Sequence, residues 1–229
     1  MRRPLIIAHR GASGYEYENS RAAFRRAITL DADGVELDVH ATRDGQIVVH
    51  HDAELEGLGR IAQLTLDEIR SFTLPNGESL PLLREVLGLI GGAQAWVEVK
   101  RLDPAFDGHL LAVLASGPAP AGYGVHSFDH RIVRRLRARQ PSLRGGALMS
   151  AYAVDPVAVL RAADASVLWQ ERTFVDQELV DRVHDAKCSI IAWTVNEAGE
   201  LEKLAGLGVD GLCGNFPDRI RVATRNHTT

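Results

Sequence analysis

The fold is decided by residues 34–51, which read GVELDVHATRDGQIVVHH. Two apolar runs, Gly34–Val39 and Ile47–His51, are separated only by residues 41–46. A crossover between parallel strands needs about a dozen residues or more, so this connection is too short for one. The second run is therefore predicted to fold back antiparallel on Leu37–Arg43.

The pair Asp44-Gly45 is a strong signal for a two-residue hairpin turn. With that turn, Arg43 opposes Gln46 and, further along the two strands, Asp38 faces His51. Cross-strand partners point to the same side of a sheet. The register therefore predicts that Asp38 and His51 converge on one pocket.

Outside this hairpin, short apolar runs rich in Val, Ile and Leu alternate with amphipathic segments of helical periodicity. Such alternation predicts parallel strands joined by helices. Eight parallel strands remain once Ile47–His51 is assigned to the hairpin, which predicts a (β/α)8 TIM barrel with a β-hairpin at its mouth. The parallel strands are expected at Leu5–Ala8, Gly34–Val39, Ala95–Val99, Gly122–His126, Gly146–Met149, Ser166–Trp169, Ser189–Thr194 and Val209–Cys213.

The chain is expected to form one catalytic barrel domain over residues 1–229, because no Ser/Gly-rich linker divides it. The one long irregular connection, residues 52–81, contains a short helical piece at Leu66–Phe72 and is predicted to be a small insertion over the mouth. Side chains suited to helix N-caps precede the predicted helices. They are Asn19 or Ser20, Asp129, Asp155, Asp176 and Asn196.

Composition excludes several classes of protein. With 26 basic and 30 acidic residues the net charge is −4, and the arginines of 131–139 have the spacing of a solvated helix face, so nucleic acid is not an expected partner. Cys188 and Cys213 lack any CxxC spacing and are expected to be reduced. No apolar stretch reaches the roughly 18 residues of a transmembrane segment, and a cytoplasmic protein is expected. The oligomeric state stays open.

Charged side chains stand at the predicted carboxyl ends of the strands, where the active sites of TIM barrels lie. Burying them is costly unless they are paired or bind a metal. Glu36, Asp38 and Glu98 offer hard carboxylate oxygens, which suit Mg2+ or Ca2+ better than zinc. These three residues are therefore predicted to hold a divalent cation.

Basic groups at the same level complete a possible catalytic set. His9 and His51 are free to act as acid and base, and Arg10 and Lys100 supply positive charge for a phosphate. Each residue also has a structural interpretation, such as a hydrogen-bonded histidine or a Glu98–Lys100 ion pair. The occurrence of the whole set at strand ends of one barrel favours metal-assisted phosphoryl transfer.

An ordered set of motifs from His9 to about Asp218 resembles the glycerophosphodiester phosphodiesterase family, whose fold is the (β/α)8 barrel. His-Arg-Gly alone is a weak signal, but the complete order and spacing are highly specific. The motifs are His9-Arg10-Gly11, Glu18-Asn19-Ser20, Glu36-Leu37-Asp38-Val39, Asp44-Gly45, Val48-Val49-His50-His51-Asp52, Glu98-Val99-Lys100, Ser127-Phe128-Asp129, Trp193-Thr194-Val195-Asn196 and Gly208-Val209-Asp210-Gly211.

The resemblance implies hydrolysis of a glycerophosphodiester to sn-glycerol 3-phosphate and an alcohol such as choline or ethanolamine. It implies the same metal, histidine and phosphate-binding roles as above. It adds Glu18 and Asn19 as residues that support the site and can touch it. It also implies that Trp193 lines the mouth near the glycerol.

The sequence departs from the family pattern at three places. Tyr17 replaces a proline, residues 53–59 replace a common lid sequence, and Gly214-Asn215 stands where Thr-Asp is usual before an aromatic residue and a proline. These departures affect the substrate's alcohol half and recognition at the mouth more than the metal and histidine set.

Two alternatives stay open. One is another phosphodiesterase, of lysophospholipase D type, for which an apolar mouth would be needed. The other is a non-catalytic barrel that binds phosphorylated metabolites. Packing onto the barrel is the expected arrangement for the candidate mouth residues, which are Leu55, Leu58, Ile61, Leu64 and Phe72.

Overall fold

The computed structural model describes residues 3–225. Strands and helices alternate along most of this range, as the sequence predicts. The strands are β1 (Leu5–His9), β2 (Gly34–Ala41), β3 (Ile47–Val49), β4 (Glu54–Leu55), β5 (Gly59–Arg60), β6 (Gln94–Arg101), β7 (Tyr123–Ser127), β8 (Arg144–Met149), β9 (Val167–Glu171), β10 (Ser189–Trp193) and β11 (Gly211–Gly214). The α-helices are α1 (Arg21–Thr29), α2 (Leu66–Ile69), α3 (Leu83–Ile90), α4 (Asp107–Ala115), α5 (His130–Arg139), α6 (Pro156–Ala163), α7 (Gln177–Asp185), α8 (Ala198–Leu207) and α9 (Pro217–Thr224).

Eight parallel strands close into a barrel. Their order is β1-β11-β10-β9-β8-β7-β6-β2, and β1 also pairs with β2, which joins the two ends of the sheet. Ala8 lies opposite Gly214 on one side of β1 and opposite Val35 on the other. The predicted (β/α)8 TIM barrel is confirmed.

Large aromatic side chains fill the inside of the barrel. Trp96 on β6 and Trp169 on β9 meet edge to face across the interior, with ring centroids 5.3 Å apart. Glycines make the room: a Cβ at Gly124 would lie 2.6 Å from the Trp96 ring, and one at Gly146 would lie 2.7 Å from the ring of Trp169. The interior is a packed core, so a ligand can enter only at an end of the barrel.

The hairpin forms as predicted, but its register is different. Val39 pairs with Val49 and Ala41 with Ile47, and Thr42 N–H donates to Gln46 O at 2.9 Å. The loop therefore has three residues, 43–45, and the predicted pairs of Arg43 with Gln46 and Asp38 with His51 are wrong.

The geometry of the loop explains the shift. Gly45 has a φ of +81°, the left-handed residue that a three-residue hairpin loop requires at its end. The Thr42 hydroxyl donates to the Asp44 carboxylate at 2.6 Å, and that carboxylate also accepts from Leu66 N–H at 3.1 Å. The Asp44 carboxylate thus stabilises the turn from within and connects it to the insertion.

The connection after the hairpin is a small folded insertion. It holds the short antiparallel pair β4–β5, a 3-10 segment at Ile61–Gln63 and helix α2. Leu55 and Ile61 are fully buried in its own cluster, Leu64 and Phe72 pack against that cluster, and Leu58 is exposed. Four of the five candidate mouth residues therefore pack in or against a cluster of the insertion and Val48 of β3, whereas the expected packing was onto the barrel itself.

Most predicted helix caps are present. Ser20, Asp129, Asp155 and Asp176 each accept a hydrogen bond from a backbone N–H in the first turn of the following helix. Asn196 does not cap α8; the N-cap position is Glu197, which makes no side-chain cap hydrogen bond. Within residues 3–225, no helix combines the length and the apolar character needed to cross a membrane.

Candidate active site

A pocket opens at the carboxyl ends of the barrel strands. It collects seven of the ten site residues that the sequence predicts, from five different strands or loops. Those seven are His9, Arg10, Glu36, His51, Glu98, Lys100 and Trp193, and the other lining residues are His126, Phe128, Leu148, Trp169 and Cys213.

Strand register brings the charged side chains to one face of the sheet. His9 lies opposite Glu36, Asp38 opposite Glu98, and Glu98 opposite His126 on successive neighbouring strands. Neighbouring residues in register project to the same side of a sheet, and Glu36 and Asp38, two apart on β2, share that side, so two successive rows present these groups together. The pocket is therefore a consequence of barrel closure rather than of a flexible loop.

Two carboxylates on this face, Glu36 and Glu98, have too little positive charge nearby to stabilise their charged forms. Burial, together with the nearby charge of Asp38, raises the pKa of Glu36 to about 7. Burial, again with the Asp38 charge and against the attraction of Lys100, raises the pKa of Glu98 to about 7. A buried carboxylate with a raised pKa is one whose charged form lacks stabilisation.

A divalent cation would remove this imbalance. Carboxylate oxygens of Glu36 and Glu98 and a ring nitrogen of His126 lie within 4.8 Å of one another. Burial lowers the pKa of His126 to about 4, so its imidazole is neutral at neutral pH and has a nitrogen lone pair. The donor set therefore fits a bound metal ion.

Asp38 is compensated already. It is fully buried, and Lys100 Nζ lies 2.9 Å from Oδ1 and Arg10 Nε 3.2 Å from Oδ2. Asn19 Nδ2 also donates to Oδ2 at 2.8 Å. Although burial acts in the opposite direction, Lys100 and Arg10 hold the pKa of Asp38 well below its usual range. Asp38 is therefore a carboxylate at neutral pH.

Lys100 joins two of the predicted metal ligands. Its ammonium lies 2.7 Å from Glu98 Oε1 as well as 2.9 Å from Asp38 Oδ1. An ammonium has three N–H donors and Lys100 lines the pocket, so it can also donate to a ligand there.

Arg10 is held from both ends. Its φ is +56°, and its backbone N–H donates to Glu36 Oε2 at 3.1 Å. Its guanidinium donates to both oxygens of Glu18, at 2.8 and 2.9 Å. Glu18 thus contacts Arg10 and Asn19 contacts Asp38, and the supporting role that the resemblance implies for them stays a prediction.

The two histidines lie on different elements and differ in environment. His9 ends β1; its Nδ1 lies 2.9 Å from Asn215 Oδ1, and its Nε2 lies 3.9 Å from Glu36 Oε2. Burial lowers the pKa of His9, which favours the neutral ring. His51 is more exposed, and its Nδ1 lies 2.7 Å from Asp52 Oδ1.

His51 reaches the pocket despite the corrected register. His50 N–H donates to Asp38 O at 3.0 Å, so His50 occupies the position opposite Asp38. The strand β3 ends at Val49, and residues 51–53 form a bend. Strand alternation therefore no longer dictates the direction of His51.

Aromatic side chains form the rim. Phe128 is 49% exposed and meets Trp193 edge to face, with ring centroids 5.8 Å apart. The indole N–H of Trp193 is buried and has no hydrogen-bond partner among residues 3–225.

Sequence reasoning missed three participants: His126, Phe128 and Asn215. His126 ends a predicted strand and Phe128 belongs to a quoted motif, but neither was given a role. In the sequence, Asn215 stands out only because Gly214-Asn215 replaces the Thr-Asp that is usual in the family. Its contact with His9 depends on the pairing of β1 with β11.

Comparison with known proteins agrees with this geometry. The model of the Glycerophosphoryl diester phosphodiesterase family matches residues 9–219. The chain is similar to a glycerophosphodiester phosphodiesterase of Caldanaerobacter subterraneus subsp. tengcongensis, with 32% identity over 94% of this chain and 96% of the relative. A putative glycerophosphodiester phosphodiesterase of Bacillus subtilis is 30% identical, with the same shares covered.

Solved structures show the same architecture. A phosphodiesterase of Oleispira antarctica, solved in complex with the product sn-glycerol-3-phosphate, superposes with a TM-score of 0.89 at 26% identity, covering 96% of each chain. A putative glycerophosphoryl diester phosphodiesterase of Silicibacter pomeroyi gives a TM-score of 0.88 at 24% identity, covering 98% of this chain and 94% of the other.

Proposed function

This chain belongs to the glycerophosphoryl diester phosphodiesterase family, and we propose that it hydrolyses glycerophosphodiesters with a divalent cation and two histidines, His9 and His51. The proposed mechanism rests on the buried carboxyl groups of Glu36 and Glu98. Their pKa values are raised because their charged forms lack stabilisation, which a bound cation would supply. The chain is an enzyme of the phosphodiesterase class, and residues 1–229 are proposed to act as one catalytic unit.

The proposed cation ligands are Glu36, Asp38 and Glu98, and the proposed ion is Mg2+ or Ca2+. Hard oxygen ligands suit both ions. When bound, such an ion polarises the phosphoryl oxygens of the substrate. The close approach of His126 to Glu36, at 3.6 Å, makes His126 the competing third ligand. A softer ion would favour the nitrogen of His126 over the oxygen of Asp38.

His9 is proposed as the base and His51 as the acid. A neutral imidazole is required of a base, and burial of His9 favours that form. His51 lies at the more exposed side of the pocket, where the contact of its Nδ1 with Asp52 Oδ1 at 2.7 Å orients the ring toward a leaving group. The leaving alcohol would then depart toward solvent.

Substrate contacts are proposed for three further residues. The Lys100 ammonium lines the pocket and can donate to a non-bridging phosphate oxygen, and Arg10 adds positive charge beside it. Trp193 has a buried indole N–H without a partner, which suits a glycerol hydroxyl. The product sn-glycerol-3-phosphate of the Oleispira antarctica relative supports the same product here.

Release of sn-glycerol 3-phosphate from glycerophosphocholine, glycerophosphoethanolamine and glycerophosphoglycerol tests the proposal. The reaction should depend on added Mg2+, Ca2+ or Mn2+ and stop with a chelator. No metal-stimulated turnover on any of these diesters would favour the non-catalytic binding barrel instead.

A lysophospholipase D activity is the second candidate, because Phe128 presents an exposed ring at the rim. The insertion gives it little support, since Leu55 and Ile61 are buried. Equal or higher kcat/KM on lysophosphatidylcholine than on glycerophosphocholine would select it.

A cytoplasmic location is also proposed. The two free thiols, Cys188 and Cys213, accord with it.

A further inference from the structure

The loop after the last barrel strand carries a residue that acts on His9. Asn215 lies between β11 and α9, and its Oδ1 is 2.9 Å from His9 Nδ1. The contact follows from the register of β1 with β11, in which Ala8 lies opposite Gly214. The residues that follow these two, His9 and Asn215, therefore emerge side by side.

Two neighbouring loops, β1–α1 and β10–α8, fix the position of Asn215. Its backbone N–H donates to Asn196 Oδ1 at 2.8 Å, and its carbonyl accepts from Gly14 N–H at 3.0 Å. The preceding residue, Gly214, approaches the backbone so closely that a Cβ there would lie 2.1 Å from Val195 O. The Gly214-Asn215 departure is thus one unit: the glycine permits the close approach, and the asparagine faces His9.

We infer that Asn215 is a positioning residue that fixes the tautomer and orientation of His9. The Oδ1 atom is an acceptor, so the partnered Nδ1 of a neutral imidazole carries the proton. The lone pair is then on Nε2, the nitrogen that faces Glu36 at 3.9 Å. A base must present its lone pair to the reacting group, and a wrong tautomer abolishes that function even when the ring is in place.

Asparagine performs this task without adding charge to the site. An aspartate would accept the same hydrogen bond but would add a further negative charge near Glu36 and Asp38, where like charges already meet. This inference rests on the proposed role of His9 as base, and it concerns how that role is secured.

The test uses full-length protein labelled with 15N-histidine and compares Asn215→Leu with Asn215→Asp. Leucine keeps the approximate shape of asparagine but has no acceptor, whereas aspartate retains one. His9→Gln identifies the His9 signals among those of the nine histidines. Gln140→Leu, which removes an exposed amide remote from the pocket, is the matched control.

At about pH 8, where an ordinary histidine is neutral, the wild-type His9 spectrum should show a protonated Nδ1 and an unprotonated Nε2. Asn215→Leu should give a mixture of tautomers and lower kcat by about 10- to 100-fold, with KM within twofold, because only the base is affected. Asn215→Asp should retain the wild-type tautomer and most of kcat. The control should match wild type in both measurements.

The inference fails if wild-type His9 carries its proton on Nε2, or if the tautomer is unchanged in Asn215→Leu. Thermal unfolding shows whether the leucine variant is folded, and Asn215→Ala replaces it if it is not. Absence of wild-type turnover on every glycerophosphodiester would refute the proposed function separately, since the tautomer is read by NMR without substrate.

Discussion

The two ends of the barrel differ in how their charged groups are compensated. At the amino ends of the strands, Arg3 pairs with Asp33 and His184 with Asp210, all within reach of solvent. At the carboxyl ends, Glu36 and Glu98 are buried beside Asp38, and their pKa values are raised. The charged groups at the amino ends already have partners, whereas the two glutamates at the carboxyl ends would be stabilised by a bound cation.

Cavity size points to the opposite conclusion. The hollow at the amino ends has a volume of about 670 Å³, against about 90 Å³ for the pocket that holds the histidines. Arg144, which lines the larger hollow, stacks on the Trp96 ring at 4.5 Å and therefore also has a partner. Unbalanced buried charge, rather than volume, identifies the end of the barrel where chemistry occurs.

The largest effect is expected from removing a carboxylate at the mouth. Glu98→Gln should lower metal-stimulated kcat by about a thousandfold or more, because a cation ligand is lost together with the charge stabilisation it supports. In metal-free protein the same change should raise the thermal unfolding midpoint, since an amide avoids the cost of a buried, repelled carboxylate. Steady-state kinetics and calorimetry with and without chelator measure both effects. Unchanged metal affinity would remove Glu98 from the ligand set.

The third ligand is decided by a pair of variants. Asp38→Asn should lose Mg2+ affinity and, with it, metal-stimulated activity. His126→Gln should retain measurable Mg2+ affinity, because Mg2+ prefers oxygen ligands. Isothermal titration with Mg2+ compares them directly. If His126→Gln loses Mg2+ binding and Asp38→Asn does not, the metal set is Glu36, Glu98 and His126.

Loss of either histidine should have the next largest effect. His9→Ala and His51→Ala should each lower kcat by about 100- to 10,000-fold, the range for proton transfer by a positioned group. The double variant should lose little more than the worse single one, because the two residues act as a unit. A nitrophenyl ester, whose leaving group needs little protonation, should partly rescue His51→Ala only. Rescue of His9→Ala instead would exchange the two roles.

Lys100→Met should lower kcat by about two orders of magnitude, the scale of removing one electrostatic stabiliser. The loss follows from removing the ammonium that lines the pocket and is proposed to hold the phosphate. Wild-type kinetics in this variant would mean that Lys100 serves only to pair with those carboxylates.

The smallest effect is expected at the amino end. His184→Gln removes a contact with Asp210 between side chains that are both about 40% exposed, so the free energy of unfolding should change by less than about 1 kcal/mol. Activity should stay within twofold of wild type, because the variant leaves the pocket intact. A large loss of kcat in His184→Gln would mean that the amino ends of the strands also contribute to catalysis.

The barrel and most of the pocket could be predicted because they depend on patterns local to each strand. Alternating apolar runs and helices gave the topology, and strand ends gave His9, Glu36 and Glu98. The hairpin register could not be obtained, because Asp44-Gly45 fits two turn types and the choice depends on Thr42 and on the contact with Leu66. The error was harmless to the site only because β3 ends before His51.

The contacts that could not be predicted depend on pairing between strands that are distant in sequence. His126 becomes a metal-site candidate only through its register with Glu98. Asn196 was expected at a helix N-cap, and its oxygen instead accepts from Asn215 N–H. A single sequence contains the residues of such contacts but not the registers that join them.

The contact between His9 and Asn215 spans 206 positions of the chain. During synthesis the first of these residues leaves the ribosome long before the second, and until β11 has paired with β1 the barrel has an open seam beside His9. Under the proposed roles of His9 and Asn215, the nascent chain would have no oriented base until that pairing forms. Appearance of activity marks closure of that seam, and such long-range pairing is a slow step in folding.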